Sequence, residues 1–215
     1  MQGTVIGFNV LVQMLSGAAQ LIQQNRDELC RIDAVIGDGD HGVTMARAMK
    51  IVTEKIAAAG STDMQGLLED IAWALMDCDG GATGPLYGSL FLGMSNGTAG
   101  KTTLDGPGFA RMLESGLESI QQQTKAKVGD KTMMDALIPA VQAATQAAKE
   151  GQDILAVLVA AAEAARQGSE FTRSIPARFG RAKYQGERTI GHPDPGSVSI
   201  TLVFKGFLNG LGKAE

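Results

Sequence analysis

The sequence predicts an all-α protein, and three observations carry that expectation. Apolar residues recur at three- and four-residue steps in one stretch after another, the mark of helices with a single buried face. Only one short segment alternates in the manner of a strand. No Ser/Pro-rich linker, low-complexity tract or fixed-period repeat divides the 215 residues, so residues 1–215 are expected to form one domain.

The first helix is expected from Thr4 to Gln24, where Val5, Phe8, Leu11, Val12, Leu15, Ala19 and Ile22 share a face. The same spacing predicts helices at Val43–Ala58, Met64–Met76, Leu86–Met94, Leu104–Thr124, Met133–Lys149 and Ile154–Phe171. Pro139 lies inside Met133–Lys149 and should kink it, since it lacks an N–H and its ring crowds the preceding turn. The last element is SVSITLVF, Ser197 to Phe204, whose β-branched content and alternation favour a strand. Just before it, Asp194-Pro195-Gly196-Ser197 has the form of a helix start, with Asp as N-cap and Pro in the first helical position. A lone strand has no partner in a helical chain, so the segment is assigned to an eighth helix.

Composition excludes several function classes. The net charge of -4 and pI near 5.3 provide no basic field, and the lysines and arginines are scattered, so no nucleic-acid partner is expected. Cys30 and Cys78 are the two cysteines, and neither sits in a CxxC or Cys/His spacing. A disulfide framework or zinc site is therefore not expected, and a cytoplasmic location fits. The first twenty residues lack the basic flank of a signal peptide, and no apolar run approaches the roughly 20 residues that span a bilayer. No membrane association is expected.

Chemistry should sit in the polar, glycine-bearing stretches Arg26–Gly42, Asp77–Gly88 and Ser174–Gly196. In the first, Asp33, Asp38 and Asp40 crowd together ahead of the helix beginning near Val43. Clustered anions repel one another and need a counter-charge, and an oxygen-rich cluster suits a hard cation such as Mg²⁺ or Ca²⁺. An EF-hand does not explain the spacing, because its alternating acidic ligands and terminal Glu are missing. The same aspartates could cap a helix from a solvated loop, and spacing alone leaves both readings open. His41 by itself reads as a hydrogen-bonded structural residue.

DGGATGPLYG, Asp79 to Gly88, surrounds Thr83 with glycines, which lets backbone N–H groups and a hydroxyl approach a phosphate, as would also be true of a plain turn before a helix. SNGTAGKTT, Ser95 to Thr103, imitates a phosphate-binding P-loop, but Ser95 stands where its first glycine belongs. Arg178, Arg181, Lys183 and Arg188 gather within Ala177–Gly196, and guanidiniums in a flexible loop form forked bonds to phosphate. GDKTMMD, Gly129 to Asp135, is a polar helix start followed by two methionines suited to packing.

Taken in order, IGDGDHG, GGATGPLYG, GDKTM and GRAKYQGERTIGHPDPG resemble the motifs of the nucleotide-binding L subunit of bacterial dihydroxyacetone kinase, which is also the second domain of single-chain dihydroxyacetone kinases. The likeness spans about Leu11 to Leu208. The resemblance implies an eight-helix antiparallel barrel with ADP or ATP and two Mg²⁺ ions bound at one end. On this resemblance Asp33, Asp38 and Asp40 match metal ligands, and His41, Gly42, Val43 and Thr44 match nucleotide-contacting positions, with Thr44 where Asn is familiar. Thr83 and Gly84 match a Ser-Gly pair that contacts phosphate. Met133 or Met134 would line the adenine pocket, Arg181 would reach the phosphates as the catalytic group, and Asp194, Pro195 and Gly196 would close over the base or ribose.

The resemblance also implies partners. The ketone, dihydroxyacetone, would be held covalently by a histidine of a separate K-type subunit, and a phosphohistidine protein of the sugar phosphotransferase system would recharge bound ADP. Two other functions remain compatible with the sequence: a subunit using exchangeable ATP for another ketose such as erythrulose, and a non-catalytic nucleotide-sensing module that binds a regulator.

Overall fold

The computed structural model describes residues 5–78 and 81–212. Thr4, the expected start of the first helix, and Asp79 and Gly80 of the glycine-rich stretch lie outside the described residues. Nine α-helices run along the described chain: α1 (Phe8–Gln24), α2 (Arg26–Ile36), α3 (His41–Ala58), α4 (Met64–Met76), α5 (Thr83–Gly97), α6 (Gly106–Gln121), α7 (Met134–Lys149), α8 (Ile154–Phe171) and α9 (Pro195–Leu211). Eight of them close a ring in the order α1, α3, α4, α5, α6, α7, α8, α9 and back to α1. The eight-helix barrel is therefore observed, with α2 added beside α3 and α9.

α2 corrects the reading of Arg26–Gly42 as an open polar stretch. Its eleven residues bury only Leu29, Ile32, Asp33 and Ile36, so the apolar stripe is too short to stand out from the charged residues around it. Strand structure is also present, as a two-residue antiparallel pair in which Ile6 faces Leu104 and Gly7 faces Thr103. That pair begins the first element later than expected, and Asp105 caps α6 after it by accepting from the N–H of Gly108 at 2.8 Å. Asp63, Asp153 and Asp194 begin α4, α8 and α9 in the same way, at 3.0, 2.9 and 2.6 Å. The cap at Asp194 and the Pro195 behind it settle the ambiguous segment as helix, as expected. α7 runs as one helix through Pro139. The carbonyl of Asp135, which Pro139 cannot engage, faces Gly168 of α8, where a Cβ would overlap it.

Closure depends on small residues. A Cβ on Gly17 would overlap the carbonyl of Gly206, a Cβ on Gly206 would overlap the backbone of Ala18, and one on Gly210 would overlap Gln13, so α1 and α9 lie backbone to backbone and antiparallel. Gly93 and Gly97 allow α5 the same approach to Ser115 and Met112 of α6. With neighbours antiparallel around the ring, the connections at 37–40, 122–133 and 172–194 leave from one end, where α4 also finishes and α5 begins. The P-loop look-alike sits at the other end: Ser95 to Gly97 finish α5, a turn follows, and Thr98 Oγ1 donates to the carbonyl of Ser95 at 2.8 Å. Among the described residues no helix is long and apolar enough to cross a membrane.

Replacing Gly206 by Ala separates local preference from packing. Helix propensity alone favours Ala by about 1 kcal/mol, whereas overpacking of this kind costs about 1–3 kcal/mol. Packing should win. Calorimetry is expected to show a Tm lowered by up to roughly 8 °C, and a raised Tm would show that α1 and α9 have room to separate.

Candidate functional site

The end of the barrel that gathers the connections holds a cavity of about 560 Å³. Its acidic wall is built by the turn between α2 and α3. Gly39 takes φ of +80°, in the left-handed region, and this swings the chain back over α2. Asp33 Oδ2 then accepts from the N–H groups of Gly39 at 3.0 Å and His41 at 3.2 Å. Asp33 is buried, Asp38 and Asp40 are exposed, and one ligand atom from each lies within 4.8 Å of the others. Among the described residues this is the one cluster with the makings of a metal site. All of its donors are carboxylate oxygens, so it fits a hard cation such as Mg²⁺ rather than zinc or copper.

Arg181 forms an ion pair with Asp38 across the mouth, which brings the basic stretch onto the acidic one. The cavity is also lined by Val43, Thr44, Thr83, Asp194 and Pro195. Next to it, sharing Thr83, Thr132, Phe179 and Pro195, is a second pocket of about 330 Å³ with Leu86, Tyr87, Met133, Met134 and Gly196 in its wall. One chamber is charged and the other largely apolar, an arrangement that suits a ligand with an anionic end and a flat apolar end.

Gly42 and Gly84 play another part. Neither lines the chambers: a Cβ at Gly42 would overlap the carbonyl of Arg26, and one at Gly84 would sit 2.8 Å from the carbonyl of Leu75. They let α3 and α5 start close to α2 and α4, and so position the first turns that carry Val43 and Thr83. His41 reaches both chambers and shares a hydrogen bond of 2.7 Å between Nε2 and Ser199 Oγ, tying α3 to α9. The remaining predicted residues converge. Sequence reasoning did not single out Lys131, Thr132, Phe179 or Arg47, which also line the larger cavity. Lys131 and Thr132 stood inside the GDKTM motif, but nothing in their type distinguished a wall residue from a turn residue.

The chain is similar to known proteins along most of its length. A family model described as the DAK2 domain matches residues 35–209. The chain belongs to the DAK2 domain family. It is 35% identical over 197 residues to the ADP-binding subunit DhaL of PEP-dependent dihydroxyacetone kinase 1 from Listeria innocua, covering 92% of this chain and 93% of that one. It is 35% identical over 207 residues to the ADP-binding subunit DhaL of the PTS-dependent dihydroxyacetone kinase of Lactococcus lactis, covering 95% and 98%. The crystal structure of the dihydroxyacetone kinase from C. freundii in complex with AMP-PNP and Mg²⁺ superposes with a TM-score of 0.72 at 26% identity, over 94% of this chain and 34% of that longer chain.

Burial shapes the titration of this DAK2 site. It pushes the His41 imidazole down despite the charge of Asp33, and pushes Asp135 up against the N–H groups of Thr132 and Gly129. Asp194 is raised to about 7, first by burial and further by the charges of Asp135 and Asp33, while the Ser197 N–H and Lys131 act the other way. The hydroxyl of Tyr87, buried beside the apolar chamber, has no hydrogen-bond partner among the described residues.

Without metal or nucleotide, folded Asp194 keeps its proton until about pH 7, whereas an unfolded chain loses it near ~4. The folded state binds more protons across that window, so this contribution to stability is present at low pH and is lost as pH rises through about 7. Asp194→Asn keeps an N-cap acceptor and removes the titration. In chelator-treated protein, the Tm of wild type minus that of Asp194→Asn is expected to fall between about pH 5.5 and about pH 8. A pH-independent difference would show that Asp194 is ionised throughout.

Proposed function

We propose that this chain is the nucleotide-binding subunit of a dihydroxyacetone kinase. It would hold ADP or ATP with Mg²⁺ and pass a phosphoryl group to a ketone carried by a separate K-type subunit, with bound ADP recharged by a phosphohistidine donor protein. The observation that carries this reading is the convergence of Asp33, Asp38, Asp40 and Arg181 at a cavity that continues into a pocket walled by Met133 and Met134. Relatives named as ADP-binding subunits of dihydroxyacetone kinases, matched over nearly their whole length, support it.

In this reading the nucleotide base enters the apolar pocket and the phosphates lie in the charged cavity. Asp33, Asp38 and Asp40 would hold the divalent cation, which when bound supplies positive charge to the phosphate oxygens. Arg181 would turn from Asp38 to the phosphates, where a forked guanidinium stabilises the charge that moves to the leaving oxygen. Thr83 and Thr44 line the same space and can donate hydroxyl hydrogen bonds. The two histidines offer no site for a covalently held ketone: His41 is engaged with Ser199, and His192 is not among the residues lining the cavity. The substrate must then come on another protein. Val35, Val43, Phe179, Tyr184 and Ile190 are large apolar side chains left exposed on the segments around the mouth, and they suit a docking rim.

Asp38→Asn and Asp40→Asn are each expected to weaken Mg-ADP binding by about tenfold or more while leaving the Tm of the nucleotide-free protein nearly unchanged. Titration calorimetry with ADP, with and without Mg²⁺, measures this. Unchanged, still metal-dependent affinity in both variants would falsify the assignment of these ligands. The chain alone should show no dihydroxyacetone-dependent turnover and should gain it on mixing with a K-type subunit and a phosphoryl donor. In that mixture Arg181→Ala should lower kcat far more than nucleotide affinity.

A further inference from the structure

The wall of the larger cavity contains a lysine that has no N–H left for a ligand. Lys131 is 1% exposed, and its Nζ donates to the carbonyls of Thr172 at 2.5 Å, His192 at 2.6 Å and Ile175 at 3.2 Å. An ammonium has three donors, and all three are occupied. The phosphate-binding role that a lysine beside such a cavity would suggest is therefore closed to it. Its three acceptors lie 41 to 61 residues away in sequence, at the two stems of the segment that carries Arg181.

The backbone is arranged to deliver this side chain. Lys131 takes φ of +61°, the one left-handed non-glycine residue among those described. Such a conformation persists only where the surroundings over-determine it. Here Asp135 accepts from the N–H groups of Gly129 and Thr132, both at 2.7 Å, and Asp130 accepts from the N–H of Lys127 at 2.9 Å, so the turn is clamped on either side of Lys131. The same turn makes one further bond to the loop, from the Arg178 N–H to the Asp130 carbonyl at 3.1 Å. Within the loop the stems also meet, through the Gly191 N–H and the Arg173 carbonyl at 2.7 Å.

We propose that Lys131 is a positioning residue whose ammonium staples both stems of the loop at residues 175–192 to the turn before α7, and so holds Arg181 over the cavity mouth. The part played by Arg181 rests on the nucleotide reading above; the staple does not. A lysine that merely filled space would be replaceable by Met, of similar shape, with no effect on the loop.

The loop contains its own probe, since Arg178, Arg181, Lys183 and Arg188 are tryptic sites. Folded, nucleotide-free protein in chelator is exposed to trypsin, and cleavage after each of these residues is followed by mass spectrometry. In Lys131→Met these bonds are expected to be cut about tenfold faster or more, because losing a charge-assisted hydrogen bond raises the open population by that order. Cleavage elsewhere and hydrogen exchange in α1 and α9 should not change. Lys131→Gly, which relieves the left-handed backbone while removing the ammonium, should behave alike. Equal loop cleavage in wild type and both variants would overturn the staple, as would acceleration at every site or failure of both variants to fold, since a loop tie is not needed to form the barrel. With Mg-ADP added, release of nucleotide from Lys131→Met should be about tenfold faster by the same argument. If wild type bound no ADP at all, the nucleotide reading would fall while the proteolysis comparison still decided the staple.

Discussion

Closure of the ring between α1 and α9 is the contact on which the rest of the molecule depends. It is made by absence: Gly17, Gly206 and Gly210 have no side chain, and the two backbones touch. Interiors pack at crystal-like density, so a residue of any width there must push the helices apart. The first to suffer would be the start of α9, because Asp194, Pro195 and Ser199 meet the acidic turn only while α9 lies flat on α1. The bond between His41 and Ser199 registers that approach directly.

An antiparallel ring has a second consequence. The N-termini of α3, α5, α7 and α9 all face the cavity end. Unpaired N–H groups make each of these ends weakly positive, and together with Arg181 they offset three clustered carboxylates. The site can thus hold negative side chains and still favour an anionic ligand, provided a cation enters with it. The carboxylates of Asp135, which is buried, and Asp194, which is half-buried, work differently. They are held by backbone N–H groups of the turns they stabilise, Gly129 and Thr132 for one and Ser197 for the other.

Much of this was legible in the residues, for identifiable reasons. Long amphipathic stripes predicted seven of the helices because each buries one continuous face, and Asp194-Pro195 helped assign an eighth, the last in the chain, against its strand-like composition. α2 escaped because its buried set is short and includes Asp33, a residue that reads as polar loop. The acidic, glycine-rich and basic motifs were each ambiguous alone, and only their order suggested a common site. Gly42 and Gly84 show the limit of motif reasoning, since a glycine required for helix packing looks the same in sequence as one that admits a ligand. Lys131 was invisible for a related reason: its partners are main-chain carbonyls, which leave no trace in residue type.

The loop that carries Arg181 is the least core-bound part of the site, and its attachments are polar. Tyr184 at its crest is 80% exposed, and Thr189 is its clearest internal anchor, accepting from the Ala177 N–H at 2.9 Å and donating to the Gly186 carbonyl at 2.7 Å. Segments with few apolar contacts open at low free energy, as access to an enclosed cavity requires. The pair between Arg181 and Asp38 fits this arrangement. It shields Asp38 from its neighbouring carboxylates in the ligand-free protein, yet an ion pair exposed to solvent is worth only about 0–1 kcal/mol, so an entering cation and its phosphates can displace it at little cost. The tie that persists is then the one at the stems, where Lys131 is shut away from water. A loop free at its tip and fixed at its base lets Arg181 exchange one anion for another without leaving the cavity mouth.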